Sequence, residues 1–384
     1  MKKRVGLVTL YTGFNYGSSL QAYATKHYLA SLGYDVDLLG IKGSIIEGRD
    51  VRIGKLFVMF RRTIFRPVLL KKTFIHHKSH IAQKKTAEVI QAFKNFEKNV
   101  LQPRKMIYRE IKKYANDNLS AILCGSDQIW GSTNVYVDPV NYLRFVERNK
   151  RIAFAPSFGN STVPKYNEKL IKKYVSDFDS LSVREEEGAK IIRSFTGKDV
   201  PVLIDPTLLL NKEEWMKLSD GSIEGKYILL YFLNKPTDIA LRYIKEIQLE
   251  LGCNTYAILH NFGEFKVIKD FDYIDAGPKE FVALINSATY ICTDSFHGTA
   301  FSVNFNKQFY VFERDYTTNG NQSSRVANFL LKFKILDRFI KKDENIVDVQ
   351  KVDFSVSNEI LEGERRKSYK YLADSLEKAE KSDI

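Results

Sequence analysis

The sequence predicts an α/β protein built from two Rossmann-like parallel-sheet domains facing across a cleft. Three observations lead there. Short apolar runs alternate with segments of helical period along most of the chain, the pattern of a parallel sheet with helices between its strands. The alternation pauses at a polar stretch, Asn211 to Gly225, and then begins again. A chain of 384 residues also suits two domains better than one.

In the first half, Arg4 to Tyr11 reads as a buried strand and Thr12 to Ser19 as a loop. Ser18 or Ser19 is expected to cap the next helix, whose apolar positions Leu20, Tyr23, Ala24, His27, Tyr28 and Leu32 recur at helical spacing. Gly33 ends that helix and Val36 to Leu39 is the next strand. The loop is not a dinucleotide fingerprint, because Gly13 and Gly17 are followed by Ser where a third glycine is needed. Asn15, Tyr16 and Gly17 either contact a ligand or serve a tight turn. Ala121 to Cys124 is a strand that ends in Ser126, Asp127 and Gln128, which are ligand contacts or a turn with an N-cap. Arg151 to Ala155 is a strand, Glu168 to Phe178 a helix, and Leu181 to Val183 a short strand. Arg184 stands at the carboxyl end of the last, where a guanidinium can fork onto a carboxylate or phosphate. The competing reading pairs it with a neighbouring glutamate. Glu185, Glu186 and Glu187 suit the first turn of the following helix. Val202 to Thr207 closes a domain of residues 1–210.

The basicity is local. The whole chain carries +13, whereas Arg49 to Lys113 alone holds 18 Lys/Arg against 4 Asp/Glu, a difference of +14. This segment is read as a basic helical insertion at about 41–116, with Pro67 breaking any single helix and an amphipathic helix at Thr86 to Val100. Two readings stay open for residues 49–72: an arm on an anionic membrane surface, or a helical hairpin with a solvated basic face. Nucleic acid is not expected, since no recognised module accompanies the charge. His76, His77 and His80 stand among lysines with no carboxylate or Cys nearby, so no metal is expected.

The second half, residues 211–345, repeats the grammar. Tyr227 to Phe232 and Thr255 to Leu259 are strands, and Asp238 to Leu251 and Pro278 to Ser287 are helices. Tyr290 to Cys292 is a buried strand that stops at Thr293, Asp294 and Ser295. Asp294 or Ser295 is the natural N-cap, which places His297 in the first turn of a helix, followed by Gly298 and Thr299. Open α/β sheets bind ligands at the carboxyl ends of strands, and helix N-termini hold anions. An imidazole there suits proton transfer to an anionic substrate; the alternative is a histidine that only caps. Gln308 to Phe312 is read as the final strand, with Arg314 and Arg325 after it. Asn358 to Lys381 is one long charged helix, so residues 346–384 are read as a helical strap over the first domain. Two such domains make the architecture of the B-type glycosyltransferases, and the fold is expected to be GT-B-like.

Cys124, Cys253 and Cys292 lie far apart without metal-ligand spacing and read as reduced core thiols. Met1 leads straight into a strand pattern, so no signal peptide is expected, and no apolar stretch is long enough to span a bilayer. A cytoplasmic protein is expected, peripheral at the inner face of the membrane if the basic arm binds lipid.

Three segments carry a resemblance. Asp294-Ser-Phe-His-Gly-Thr-Ala300, with Cys124-Gly-Ser-Asp-Gln-Ile-Trp130 and Ser182-Val-Arg-Glu185, resembles the polysaccharide pyruvyl transferase family. The family's Gly-Asn-x-Gly loop is matched in part by Asn15-Tyr16-Gly17, with Phe14 intervening after Gly13. The resemblance implies transfer of pyruvate from phosphoenolpyruvate to two hydroxyls of a sugar, as a cyclic ketal, in cell-surface polysaccharide or capsule biosynthesis. It implies phosphoenolpyruvate as donor, a polysaccharide or lipid-linked oligosaccharide as acceptor, and neither metal nor cofactor. It gives His297 the role of general acid, with Asp294 beside it. Arg184, Ser295, Gly298, Thr299, Arg314 and Arg325 would hold the donor; Asn15, Tyr16, Gly17, Ser126, Asp127 and Gln128 would face the acceptor. One departure stands out: the family pattern Arg-Leu-His-Gly is Ser295-Phe296-His297-Gly298 here. Either Arg314, Arg325 or backbone N–H groups replace the missing guanidinium, or the donor differs. Competing functions are a nucleotide-sugar glycosyltransferase on the same scaffold and a non-catalytic polysaccharide-binding protein.

Overall fold

A computed structural model describes residues 3–46, 49–65, 85–221, 223–259, 271–314, 323–344 and 347–381. The chain separates into two compact units. The first comprises Met1–Lys72, Glu97–Leu209 and Glu364–Ile384, and the second Thr73–Phe96 and Leu210–Gly363.

In the first unit, strands β1 (Arg4–Val8) and β2 (Asp35–Ile41) flank helix α1 (Tyr16–Ser31) in sequence. A short antiparallel hairpin, β3 (Ile45–Ile46) and β4 (Arg49–Asp50), leads into helix α2 (Val51–Phe65). Then come β5 (Arg104–Met106), β6 (Ala121–Cys124), β7 (Arg151–Ala153) and β8 (Ser180–Leu181). They form a six-stranded parallel sheet in the order β5-β2-β1-β6-β7-β8. The central strands are continuous apolar runs because both faces are covered; all four residues of β6 are buried.

The basic stretch 41–116 is more than an insertion of helices. Its residues 104–106 are the edge strand β5, paired in parallel with β2, and Tyr108–Asn118 is a helix of the same unit. The strand was hidden by its composition: Arg-Lys-Met shows no apolar run, because an edge position tolerates cations and even benefits from them. Helix Ala87–Phe96, from the same stretch, belongs to the second unit. The residues His76, His77, His80 and 66–72 lie outside the described residues.

The second unit has β9 (Tyr227–Phe232), β10 (Asn254–Leu259), β11 (Asp272–Ile274), β12 (Tyr290–Thr293), β13 (Gln308–Phe312) and β14 (Phe339–Ile340). Its sheet is again six-stranded and parallel, in the order β11-β10-β9-β12-β13-β14. Gln308–Phe312 is therefore not the last strand; β14 has two residues, too few to leave a sequence pattern. The C-terminal helix runs Ser355–Lys381. From Glu364 onward it belongs to the first unit, where Tyr371 Oη donates to Ala153 O at 2.8 Å and Lys367 Nζ to Val202 O at 2.8 Å.

Numbered within its own unit, each sheet has the order 3-2-1-4-5-6. The direction of winding reverses between β1 and β6 in one and between β9 and β12 in the other. Such reversal points open a crevice at the carboxyl ends of the strands, which is where open parallel sheets take ligands. No helix among the described residues is long and apolar enough to cross a membrane.

Candidate functional site

The carboxyl end of β12 is fastened across the reversal point of the second sheet. Thr293 Oγ1 donates to Tyr231 O on β9 at 2.6 Å and accepts from Ser295 N at 3.0 Å. The Asp294 carboxylate accepts from Leu233 N at 2.6 Å and from Asn234 N at 3.0 Å. Both acceptors of one side chain thus hold the chain that leaves β9. Ser295 is the N-cap of helix Phe296–Asn304, its Oγ accepting from Gly298 N at 3.4 Å, and Thr299 Oγ1 donates back to Ser295 O at 2.8 Å. Gly298 is required by space rather than by torsion. A Cβ there would lie 2.5 Å from Thr293 Oγ1, so any side chain would push the helix off the strand end.

This geometry leaves His297 in the first helical turn, about nine-tenths buried. Its ring stands edge-on to Phe296, with centroids 5.4 Å apart, and Phe296 packs in turn on Phe329 at 5.4 Å. The imidazole thus rests against Phe296, which Phe329 backs in turn. Arg314 follows β13 and returns to the same point: its Nε donates to Asp294 O at 2.8 Å and lies 3.4 Å from Asp294 Oδ2. Burial pushes the Asp294 carboxyl upward in pKa, while Arg314 and the two N–H groups oppose the rise. Burial, with Asp294 adding to it, also raises the Tyr231 phenol, which hydrogen-bonds the Ser295 side chain. Arg325 lies on helix Ser323–Lys332, one turn before Phe329 and on the same stripe.

Asp294, Ser295, His297, Gly298, Thr299 and Arg314 are thus brought together. Sequence reasoning missed Tyr231, Leu233, Asn234 and Phe329. The first three follow from the rule that marked Asp294, since they end the neighbouring strand across the reversal point. Phe329 gave no signal, because its contact depends on how two helices pack.

The reversal point of the first sheet holds a second network. Gly125 has φ +120°, and a Cβ on it would meet Phe154 O at 2.0 Å, so only glycine fits. Ser126 N donates to Gln21 Oε1 at 3.1 Å, and Ser126 Oγ to Ala155 O at 2.7 Å. Asp127 accepts from Ser18 Oγ at 2.5 Å. The cap of α1 is Asn15, not Ser18 or Ser19: its Oδ1 accepts from Ser18 N at 3.1 Å. Tyr16 and Gly17 are consequently buried in the first turn of that helix. Gln128 packs against Gly159.

Arg184 is buried among carboxylates of this unit. Its Nη1 donates to Asp205 Oδ2 at 2.6 Å, its Nε to Glu185 Oε1 at 3.0 Å, and Asp127 Oδ1 lies 3.8 Å away. Burial alone would lower its pKa, but Glu185, Asp205 and Asp127 outweigh that and raise it above the ordinary value. The ion pair with a neighbouring glutamate exists, and Asp205, unmarked in the sequence reading, is the closer partner. Among the described residues no group of three or more His, Cys, Asp or Glu could hold a metal ion.

Several solved structures are similar to this chain at low identity. UDP-N-acetylglucosamine 2-epimerase from Neisseria meningitidis is 11% identical with a TM-score of 0.47, covering 99% of this chain and 94% of that one. The same enzyme from Rickettsia bellii is 12% identical with a TM-score of 0.46, over 98% and 97%. The glycosyltransferase SnogD from Streptomyces nogalater is 10% identical with a TM-score of 0.42, over 98% and 100%. No curated protein matches the sequence. The family model described as polysaccharide pyruvyl transferase matches residues 15–316, a span that takes in both networks. The chain belongs to the polysaccharide pyruvyl transferase family.

Proposed function

We propose that this transferase moves the pyruvyl group of phosphoenolpyruvate onto two hydroxyls of one sugar as a cyclic ketal. The observation that supports this best is the meeting of Arg314 with Asp294 beside the His297 turn. Ser295 stands where the family pattern has arginine, and Arg314 brings a guanidinium to that point from the next strand. A fixed cation, a helix N-terminus and a buried imidazole together suit a donor that bears a carboxylate and a phosphate.

In this reading His297 protonates the methylene carbon of the donor, and positive charge develops at the adjacent carbon. The first sugar hydroxyl adds there and gives up its proton to the vacated imidazole. The carbon–oxygen bond to phosphate then breaks, and the second hydroxyl closes the ketal. Of the two hydroxyl protons, one balances the proton that made the methyl group and the other leaves with phosphate. Asp294 holds the strand ends and aligns Arg314; it does not itself transfer a proton. The acceptor is a polysaccharide or a lipid-linked oligosaccharide, and the protein works in the cytoplasm without metal or cofactor.

The test is phosphate release from phosphoenolpyruvate by purified protein, with a spread of galactose-, glucose- and mannose-based acceptors and an active ketal transferase as control. Release that depends on the acceptor, with the pyruvyl carbon recovered on sugar, supports the reading. Absence of release with every acceptor, while the control works, would sink it.

A further inference from the structure

The outward face of α2 is apolar, although the segment around it is the most basic of the chain. Ile53, Leu56, Phe57 and Phe60 are between 64% and 68% exposed. They stand at i, i+3, i+4 and i+7, which on a helix makes one stripe about 100° wide. The opposite face is the one that packs. Val51 lies against the core of the first unit, a Cβ on Gly54 would be 3.7 Å from Tyr136, and Lys55 Nζ sits 5.6 Å from the same ring. Arg52 and Arg61 flank the stripe on either side and are exposed. A solvated basic face would have put the cations outward and the large apolar side chains inward. Here the large apolar side chains face outward, with exposed cations beside them, and contiguous exposed apolar surface of this kind marks an interaction site.

A cleft of about 600 Å³ lies where this helix is rooted, at the carboxyl ends of β2 and β5. Val51 N donates to Ser44 O, on the wall of the cleft, at 2.8 Å. Lys42, Arg109 and Lys112 line it, all exposed, and none has a carboxylate partner among the described residues. Glu110, the nearest acid in sequence, is turned to the backbone N–H of Ile107 at 3.1 Å. Exposed Ile45 and Ile107 complete the lining, so the cleft combines three cations with apolar walls.

We propose that α2 and this cleft form one docking surface for an anionic lipid bilayer. The stripe enters the boundary between headgroups and acyl chains, as interfacial amphipathic helices do. Arg52 and Arg61 stay at headgroup level, and Lys42, Arg109 and Lys112 take a phosphate headgroup. Charge complementarity selects this occupant: Lys42, Arg52, Arg61, Arg109 and Lys112 are exposed around the stripe and the cleft. A surface of this sign gains from the negative potential of anionic lipid, by about fivefold in partition for each cation near the membrane.

The experiment is co-sedimentation of the full chain with phosphatidylcholine vesicles, with and without about a third phosphatidylglycerol. It contains no phosphoenolpyruvate, so its outcome is independent of the proposed reaction. Wild type should prefer the anionic vesicles and lose binding as salt rises. Phe57→Glu with Phe60→Glu should weaken binding by about tenfold or more at an unchanged melting temperature, since both side chains are exposed. Lys42→Gln with Lys112→Gln should lower it by about fivefold per charge. Equal binding to both vesicles, or variants that bind like wild type, would overturn the proposal. So would failure to bind either vesicle; if the protein then sediments as a dimer that Phe57→Glu with Phe60→Glu dissolves, a second copy covers the stripe.

Discussion

Arg184 Nη1 lies 2.6 Å from Asp205 Oδ2, and the two side chains are 3% and 0% exposed. Asp205 also caps the turn at Pro206–Leu208 by accepting from Thr207 N at 3.0 Å and Thr207 Oγ1 at 2.8 Å. An ion pair sealed this far from water costs far more to break than to keep, because the remaining charge stays buried. Arg184→Ala should therefore destabilise the protein by about 3–5 kcal/mol in denaturant unfolding. Arg184→Lys should recover only part of that, since an ammonium cannot meet Asp205 and Glu185 in the planar fork that Nη1 and Nε provide. The opposite result is equally clear. An unchanged unfolding midpoint with phosphoenolpyruvate binding abolished would make Arg184 the donor anchor that the family resemblance implies.

Arg314 and His297 should separate in a binding experiment. If Arg314 supplies the guanidinium that Ser295 does not, Arg314→Ala should weaken phosphoenolpyruvate binding by roughly 10- to 100-fold in isothermal titration, the effect of losing a charged hydrogen bond. His297→Asn keeps a polar side chain of similar reach but cannot shuttle a proton. It should bind the donor within a few fold of wild type and turn over roughly 10²–10⁴-fold more slowly. Equal loss of donor affinity in both variants would mean that His297 is a binding residue, and the proton donor would have to be sought elsewhere.

Asp294 accepts from two backbone N–H groups, so its replacement by an amide is not conservative. In Asp294→Asn one of Leu233 N and Asn234 N must face an NH₂ group or lose its acceptor. The expected cost is about 1–3 kcal/mol, the penalty for a buried donor left unsatisfied. The pH dependence carries a further sign. Burial holds the Asp294 carboxyl above the ordinary aspartate range in the folded state. The folded form then binds the proton more readily than the unfolded form, so this group favours folding at acid pH and its contribution falls as pH rises past the unfolded value. Asp294→Asn should remove that dependence, which unfolding curves at several pH values would detect.

Gly298→Ala tests the close approach of helix and strand. The added methyl would sit 2.5 Å from Thr293 Oγ1, and Thr293 is itself committed to Tyr231 O and Ser295 N. The strand end cannot yield without breaking those bonds, so the helix must move. A loss of about 1–3 kcal/mol is expected from overpacking. Turnover should fall further than stability, because the displaced turn carries His297. A variant with wild-type turnover and stability would show that the turn has slack.

How much of this could be read beforehand depended on what each residue's role demands of the sequence. The central strands of both sheets announce themselves because a strand covered on both faces has to be apolar throughout, as Tyr227–Phe232 is. The Asp294-Ser295 cap and the His297 turn were legible for a similar reason: a polar cluster that interrupts an apolar run must satisfy a helix start. Edge strand β5 was not legible, since nothing about Arg104–Met106 requires burial. The pairing of Arg184 with Asp205 was invisible too, because residues 21 positions apart reveal contact only once the chain is folded. The cap of α1 was misplaced by three residues, because Asn15 and Ser18 are both good N-caps and the choice is made by Asp127, which engages Ser18.

Lys85 gives a test of burial on the second unit. Its ammonium nitrogen is buried, 5.0 Å from the centroid of the Phe93 ring, and burial lowers its pKa from 10.5 to about 8. The folded state then releases this proton before the unfolded chain does. Between those two values the unfolded state binds more protons, so this group's contribution to stability rises with pH. Below pH 8 both states carry the charge, and the folded state bears the whole cost of burying it. The gain across the window is at most about 3 kcal/mol. Buried tyrosines act the other way above about pH 10, where the unfolded chain loses phenolic protons first. The measurement is therefore the difference between wild type and Lys85→Met from pH 7 to 9.5. Lys85→Met should be the more stable of the two at pH 7, and the gap should narrow steadily as pH rises. A gap that does not change with pH would mean that the Lys85 charge is solvated, and that Phe93 packs only against its aliphatic stem.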